Sequence, residues 1–283
     1  AGMANSTSVR TPAHVTPVGS DKLGDPFDED WDYAAVIGML LYLSGNSRPD
    51  IAFAVSQCCR FTHGPKASHG VAVKRILRYL QGTRDKGIRF CPQNHLNVDC
   101  YVDADFAGLW GSEDHQDHPI SVKSRTGYLI MFMGCPLLWV SKLQTQIALS
   151  TMESEYIALS QAMRDVIGIR EVLKEVYQHV LNTQHQLQYR THSRAFTEVT
   201  PQGGIPQTKV FEDNEACLKY ARMPKMSPRT KHIAIPYHFF RSKVEELEIT
   251  IEPIDTDNQL GDQFTKGLPE QKFVRDRERL MGW

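Results

Sequence analysis

The sequence predicts an α/β layered domain behind a small helical module, and three observations predict it. Three strand-like runs follow one another at 98–104, 127–133 and 136–142. Met152, Tyr156, Leu159, Met163, Val166 and Leu173 then recur at steps of three, four or seven, the spacing of one face of a long helix. Beyond it, strand-like and helical patterns alternate to the end of the domain, and sheet strands mixed with helices in this order form packed layers.

The elements follow in order. Residues 1–30 are polar, with Pro12, Pro17 and Pro26, and read as an extended lead-in or linker. Residues 31–92 hold three helical patterns, Ala35–Leu43, Ile51–Phe61 after Pro49-Asp50, and Ser68–Leu80 after Gly64-Pro65, closed by Gly82 and Gly87. In the third, Val73, Ile76, Leu77 and Leu80 make an apolar face. Lys74, Arg75 and Arg78 make another, either solvated or aimed at phosphates. Residues 93–283 read as the α/β domain. Its first strand alternates Val98, Cys100 and Val102, ends in Asp103 and Asp105, and gives way at Gly108 to a polar loop. The next two strands complete a meander. After the long helix, residues 182–208 read as a long surface connection. Val210-Phe211 leads to Asp213 and a helix ending near Ala221. A helix at about Ile233–Glu246, a strand at Glu248–Ile254 and a last short helix at Gln259–Thr265 complete the chain.

Composition bounds the function. The 283 residues suffice for one large domain or two ordinary ones, and 41% hydrophobic with 23% charged residues is globular. A net charge of −1 gives no global attraction to nucleic acid, so any basic site must be local. Cys58, Cys59, Cys91, Cys100, Cys135 and Cys217 form no Cys-x-x-Cys pair and read as reduced, buried thiols. His115 and His118 supply too few ligands for zinc. The longest apolar run, Ala34–Leu43, is too short to cross a bilayer, and no signal-peptide pattern opens the sequence, so neither membrane nor export is expected.

Four carboxylates stand in positions that suit chemistry. Asp103 at a strand end either binds a metal or solvates a turn. Ser150 with Glu153 forms a capping box, which accounts for Glu153. Glu155 has no such account: three residues after Met152 and four before Leu159, it leans beside the apolar stripe towards the sheet. Asp213 is either a helix N-cap or a strand-end carboxylate at the edge where α/β sheets bind ligands. Asp262 lies between Leu260 and Phe264. If these four converge, their hard oxygens suit two Mg²⁺ or Mn²⁺ ions, the arrangement that serves phosphodiester hydrolysis.

Several strings carry a family resemblance. They are Ser47-Arg48-Pro49-Asp50-Ile51-Ala52, Lys74 to Thr83, Tyr101 to Gly108, Ser124-Arg125-Thr126-Gly127-Tyr128, Ala148 to Leu159, Glu212-Asp213-Asn214, Arg229-Thr230-Lys231-His232-Ile233, Tyr237-His238-Phe239 and Asp262-Gln263-Phe264-Thr265-Lys266. In this order, over almost the whole chain, they resemble the C-terminal part of the Pol polyprotein of copia-type LTR retrotransposons. The resemblance implies a ribonuclease H-like five-stranded mixed sheet with flanking helices, preceded by a reverse transcriptase thumb and connection module that grips duplex. It implies hydrolysis of the RNA strand of an RNA–DNA hybrid during reverse transcription, to a 3′-hydroxyl and a 5′-phosphate. Asp103, Glu155, Asp213 and Asp262 would hold two Mg²⁺ ions, or Mn²⁺, with no small-molecule cofactor. Nucleic-acid contacts would come from Arg125, Arg229, Lys231 and His232, with Lys74, Arg75 and Arg78 on the helical module.

Met3 to Pro12 resembles the segment that follows the polymerase palm in this family, so the missing polymerase portion of the polyprotein is an expected partner. A Tyr-x-Asp-Asp polymerase motif is absent, and no polymerisation is expected from this chain. One departure stands out. Cellular ribonucleases H often carry a His shortly before the last Asp, and none lies between His238 and Asp262, which puts proton transfer or product release in question. Two rivals remain at this level: a catalytically silent nucleic-acid-binding remnant, and an integrase-like DNA nuclease, although integrases place a Glu last. The expected location is a cytoplasmic particle or the nucleus.

Overall fold

The computed structural model describes every residue except 1, 4, 5, 94, 111–119, 188–204 and 223–238. The chain order is α1 (Tyr33–Asn46), α2 (Ala52–Cys58), α3 (Ala67–Gln81), β1 (Val98–Asp105), β2 (Arg125–Phe132), β3 (Cys135–Leu143), α4 (Thr151–Leu187), β4 (Thr208–Glu212), α5 (Glu215–Arg222), α6 (Arg241–Glu245), β5 (Ile249–Pro253), α7 (Asp262–Thr265) and α8 (Glu270–Met281). The strands form one five-stranded sheet in the order β3-β2-β1-β4-β5. The meander β1-β2-β3 is antiparallel, whereas β4 and β5 join β1 in parallel. This is the mixed sheet with flanking helices that the resemblance implied.

Strand alternation sends two different cores to the two faces. Val98, Cys100 and Val102 of β1, with Tyr128, Ile130, Val210 and Ile251, pack against Tyr156, Leu159, Met163 and Val166 of α4. Full burial of each large aliphatic side chain contributes roughly 1.5–3 kcal/mol, which holds α4 to the sheet along its stripe. On the other face Leu129 and Met131 meet Leu260, Phe264, Leu280 and Met281. The helical module has its own core, with Ile37, Leu40, Ile51, Val55, Val73 and Ile76, but that core also takes in Leu268 and Phe273 from the C-terminal stretch. Asp50 and Arg48 are buried beside it as an ion pair at 2.7 Å, and the Tyr79 hydroxyl donates to Asp50 at 2.6 Å.

Several local expectations change. The helical pattern expected over Ile51–Phe61 is not one α-helix: short 3₁₀ turns at Pro49–Ile51 and Cys59–Phe61 flank α2. The strand expected from Gly127 starts at Arg125, and α4 runs to Leu187, into the stretch expected as a surface connection. Most of that 182–208 connection, and the start of the helix expected at 233, lie outside the described residues. The capping box at α4 is shifted: Ser150 Oγ accepts from the Glu153 amide as expected, but Glu153 reaches back to the Leu149 amide at 2.8 Å. The helix α8 was not anticipated. All six cysteines are free, and Cys91 is exposed where burial was expected. Among the described residues no helix is long and apolar enough to cross a membrane.

Candidate metal centre

Three of the four expected carboxylates converge. Asp103, Glu155 and Asp213 each offer an oxygen, and these atoms lie within 4.8 Å of one another. Topology brings them together. β1 and β4 are parallel neighbours with Tyr101 opposite Phe211, so Asp103 and Asp213, each two residues further on, emerge at the same rim. β3 is antiparallel to β2 and therefore runs with β1, so it leaves the sheet at that rim also. There α4 begins, with Glu155 in its opening turns. A helix N-terminus carries partial positive charge, which favours carboxylates at this place.

The cluster is costly as it stands. Burial raises the Asp103 carboxyl, Lys266 and the Thr265 hydroxyl oppose the rise, Asp262 and Asp213 add to it, and the balance is about 7. Glu155 is held well above the usual carboxylate range by burial, then by Glu212, Asp103 and Asp213. Glu212 is fully buried and likewise raised, chiefly by burial. One oxygen on each of Glu155 and Glu212 has no hydrogen-bond partner. Buried acceptors without partners cost free energy, and a divalent cation bound by hard oxygens relieves both the desolvation and the mutual repulsion. The donor set therefore fits Mg²⁺ or Mn²⁺.

Asp262 stands apart from the trio. It is 1% exposed, with its oxygens 2.6 Å from Lys266 Nζ and 3.3 Å from Lys272 Nζ, and Lys266 also lies 3.8 Å from Asp103. Two glycines let α7 settle this close to β1. A Cβ on Gly127 would lie 2.6 Å from the Thr265 methyl and 2.8 Å from Phe264 Cβ; one on Gly261 would lie 2.9 Å from Asp103 Cβ and N. Gln259 fixes the approach, its Nε2 donating to the Val102 carbonyl at 2.8 Å and its Oε1 accepting from the Gly261 amide at 3.0 Å. Thr265 donates to Asp103, and Thr256 donates to Asp213 at 2.7 Å.

Sequence reasoning missed Glu212, Thr265, Lys266 and Lys272. Glu212 had a signal: Thr208, Val210 and Glu212 share one side of β4, so period-two alternation puts a glutamate on a buried face.

The expected nucleic-acid residues are placed differently from one another. Arg125 is 4% exposed, rests over the Phe53 ring, and donates to Ser56 Oγ at 2.6 Å and Ser141 Oγ at 3.3 Å. Burial, with Arg60 adding to it, lowers its guanidinium to about 10. The basic face of α3 carries the lead-in: Lys74 pairs with Glu29 at 2.6 Å, Arg75 donates to Thr11 at 2.7 Å, and Arg78 to the Thr7 carbonyl at 2.6 Å. That face is thus partly engaged by the lead-in rather than simply solvated. Arg229, Lys231 and His232 lie outside the described residues.

No family model matches the chain. It is 33% identical over 246 residues, 87% of its length, to the retrovirus-related Pol polyprotein from transposon TNT 1-94 of Nicotiana tabacum. It is 31% identical over 274 residues, 96% of its length, to the corresponding polyprotein from transposon RE1 of Arabidopsis thaliana. The chain spans 16% of the length of each of these relatives. Among solved structures it is similar to the N-terminal RNase H domain of Rv2228c from Mycobacterium tuberculosis, with 9% identity and a TM-score of 0.34, covering 65% of this chain and 97% of that one.

Proposed function

Because the chain belongs to the copia-type Pol polyproteins, of which it spans about a sixth, we propose that it is a ribonuclease H: a metal-dependent endonuclease that cuts the RNA strand of RNA–DNA hybrids. The observation that carries this reading is the convergence of Asp103, Glu155 and Asp213 within 4.8 Å from three separate elements. Asp103, Glu155 and Asp213 would hold the cation, and Asp262 would join them on release from Lys266. Divalent cations bound there would supply water activation and charge stabilisation for the departing 3′ oxygen. The chain's own part is positioning. The Thr265 hydroxyl holds Asp103, Thr256 holds Asp213, and the α4 N-terminus steadies the charge of the group. Arg229, Lys231 and His232 stay candidates for contacts to the hybrid backbone, and strand choice would rest on groups that read 2′-hydroxyls. The polymerase portion of the same polyprotein is the proposed partner.

The test is cleavage of an end-labelled RNA–DNA hybrid in Mg²⁺ by the parent and by Asp103→Asn, with duplex DNA as control. RNA-strand cutting lost in the variant supports the reading. A folded parent that binds hybrid without cutting it would mean a silent binding remnant, and cutting of duplex DNA would mean a DNA nuclease.

A further inference from the structure

A second cleft, away from the carboxylates, lies between the helical module and the edge strand β3. It has a volume of about 420 Å³, and Arg60, Lys142, Trp139, Ser56 and Ser141 are among its lining residues. In its lining the Trp139 indole donates to the Ser44 carbonyl at 2.7 Å. No carboxylate lines it.

The charge of Arg60 in this wall is uncompensated. Arg60 is half-buried, its Nε and Nη1 have no hydrogen-bond partner, and its guanidinium rests on the neighbouring Phe61 ring. Arg125 stands behind the cleft, bonded to the two lining hydroxyls, Ser56 and Ser141, and close enough to Arg60 for the two cations to disfavour each other. Among the described residues no carboxylate forms an ion pair with Arg60, Arg125 or Lys142. Buried or half-buried cations are normally paired; Asp105 offsets Arg125 across the β1–β2 ladder, but Arg60 beside it has no carboxylate counter-charge, and its two unpartnered N–H groups call for an anion from outside.

Register relates the cleft to the carboxylate centre. Gly127 pairs with Asp103 on one side and Ser141 on the other, so Ser141 shares a rung with Asp103 two strands away. At the usual inter-strand spacing that separation is roughly 10 Å. α7 packs over Gly127 between the two, so nucleic acid seated at the carboxylates and following this face would meet the cleft on the far side of α7.

We propose that the cleft walled by Arg60 and Lys142, with Arg125 behind it, binds a backbone phosphate of the nucleic acid whose scissile bond sits at Asp103. This rests on the reading that the chain acts on nucleic acid, and it adds a contact that the helical module and the sheet make jointly. Ser56 and Ser141 relay the Arg125 charge to the cleft, while Arg60 and Lys142 meet the phosphate.

The test is hybrid binding by fluorescence anisotropy across a salt series, in an Asp103→Asn background that blocks cutting. Arg60→Gln and Lys142→Gln should each weaken binding by roughly threefold to tenfold, and each should lessen the slope of log affinity against log salt by about 0.9 if a phosphate contact is lost. Arg60→Lys, which keeps the charge, should retain the slope. Lys142 is exposed, so its variant tests the cleft without risk to the fold. Unchanged affinity and slope in Lys142→Gln and in a folded Arg60→Gln overturn the cleft, and if the protein with Asp103 intact still cuts hybrid, the ribonuclease reading survives. Binding that depends on Arg60 and Lys142 in a protein that never cuts supports the cleft and removes the nuclease reading. A folded protein that binds no hybrid overturns both.

Discussion

Lys266 Nζ, from the residue that ends α7, lies 2.6 Å from Asp262 Oδ1 at the start of that helix and reaches 3.8 Å from Asp103 Oδ2. One ammonium thus bridges the carboxylate outside the trio and a member of it. Burial opposes its charge, but Asp103 and then Asp262 hold that charge in place. A cation arriving beside Asp262 must displace this ammonium or share the carboxylate with it. Lys266→Met should therefore lower the Mg²⁺ or Mn²⁺ concentration for half-saturation several-fold, read by calorimetric titration. It should also destabilise the metal-free protein by about 1–2 kcal/mol, the buried-pair cost discounted for the partial exposure of Lys266. Unchanged metal affinity would mean that Lys266 moves aside at no cost.

The carboxylates predict how the metal-free protein responds to pH. Burial raises Asp103 to about 7 and holds Glu155 and Glu212 well above the usual range. A carboxyl whose folded value is raised contributes stability that is complete below its unfolded value, near 4, and is lost as pH rises through the folded value. In EDTA, thermal stability contributed by this cluster should fall as pH rises from about 4 through about 7. Asp103→Asn should lie near the parent at about pH 4 and melt several degrees above it at about pH 8. Mg²⁺ should restore the parent at pH 8 and do less for the variant. A flat difference between the two proteins across that range would remove Asp103 as the titrating group.

These relations mark what could be read from the residues alone. The strand alternation of Val98, Cys100 and Val102 and the helical stripe from Met152 to Leu173 are local patterns, and both elements formed where expected. The charged stretch Glu270–Met281 hides its helix, because only Phe273, Val274, Leu280 and Met281 are apolar and two different cores divide them. Lys74, Arg75 and Arg78 could not be understood from α3 by itself, since their partners arrive from Thr7, Thr11 and Glu29 more than forty residues earlier. Asp262 was identifiable as a residue of interest, but its lysine pairing depends on α7 docking, which sequence spacing does not encode.

Docking of α7 rests on Gly127, which gives the third prediction. A Cβ there would meet the Thr265 methyl, Phe264 Cβ and, at 3.0 Å, the Gly261 carbonyl. The first two contacts are under 3 Å, and the last is backbone, which cannot rotate away. Gly127→Ala should cost about 1–3 kcal/mol in urea unfolding, as overpacking does. It should also reduce hybrid cleavage more than hybrid binding, because the displaced helix carries Asp262 and the Thr265 hydroxyl that holds Asp103. Equal losses in binding and cleavage would point to general unfolding instead.

The Arg48–Asp50 pair gives the fourth. Their side chains are 5% and 0% exposed, and Asp50 also accepts from the Tyr79 hydroxyl while Arg48 donates to Thr83 Oγ1 at 2.7 Å. The matched strings around Asp50 and around Tyr79 thus meet in one buried polar network, so a structural role accounts for residues that resemblance alone left without one. Removing one partner leaves the other charge buried, so Asp50→Ala should destabilise by about 3–5 kcal/mol in urea unfolding. Tyr79→Phe should cost less, about 1.5–3 kcal/mol for a hydrogen bond to a charged group. Arg48→Met with Asp50→Leu should recover much of the loss, since an apolar pair asks for no counter-charge. The module's core includes Leu268, in the connection from α7 to α8, and Phe273 of α8, so loosening it should also speed hydrogen exchange at α7 amides. If Asp50→Ala loosened α1 to α3 while α7 kept its protection, the helical module and the carboxylate centre would be energetically separate despite their shared core.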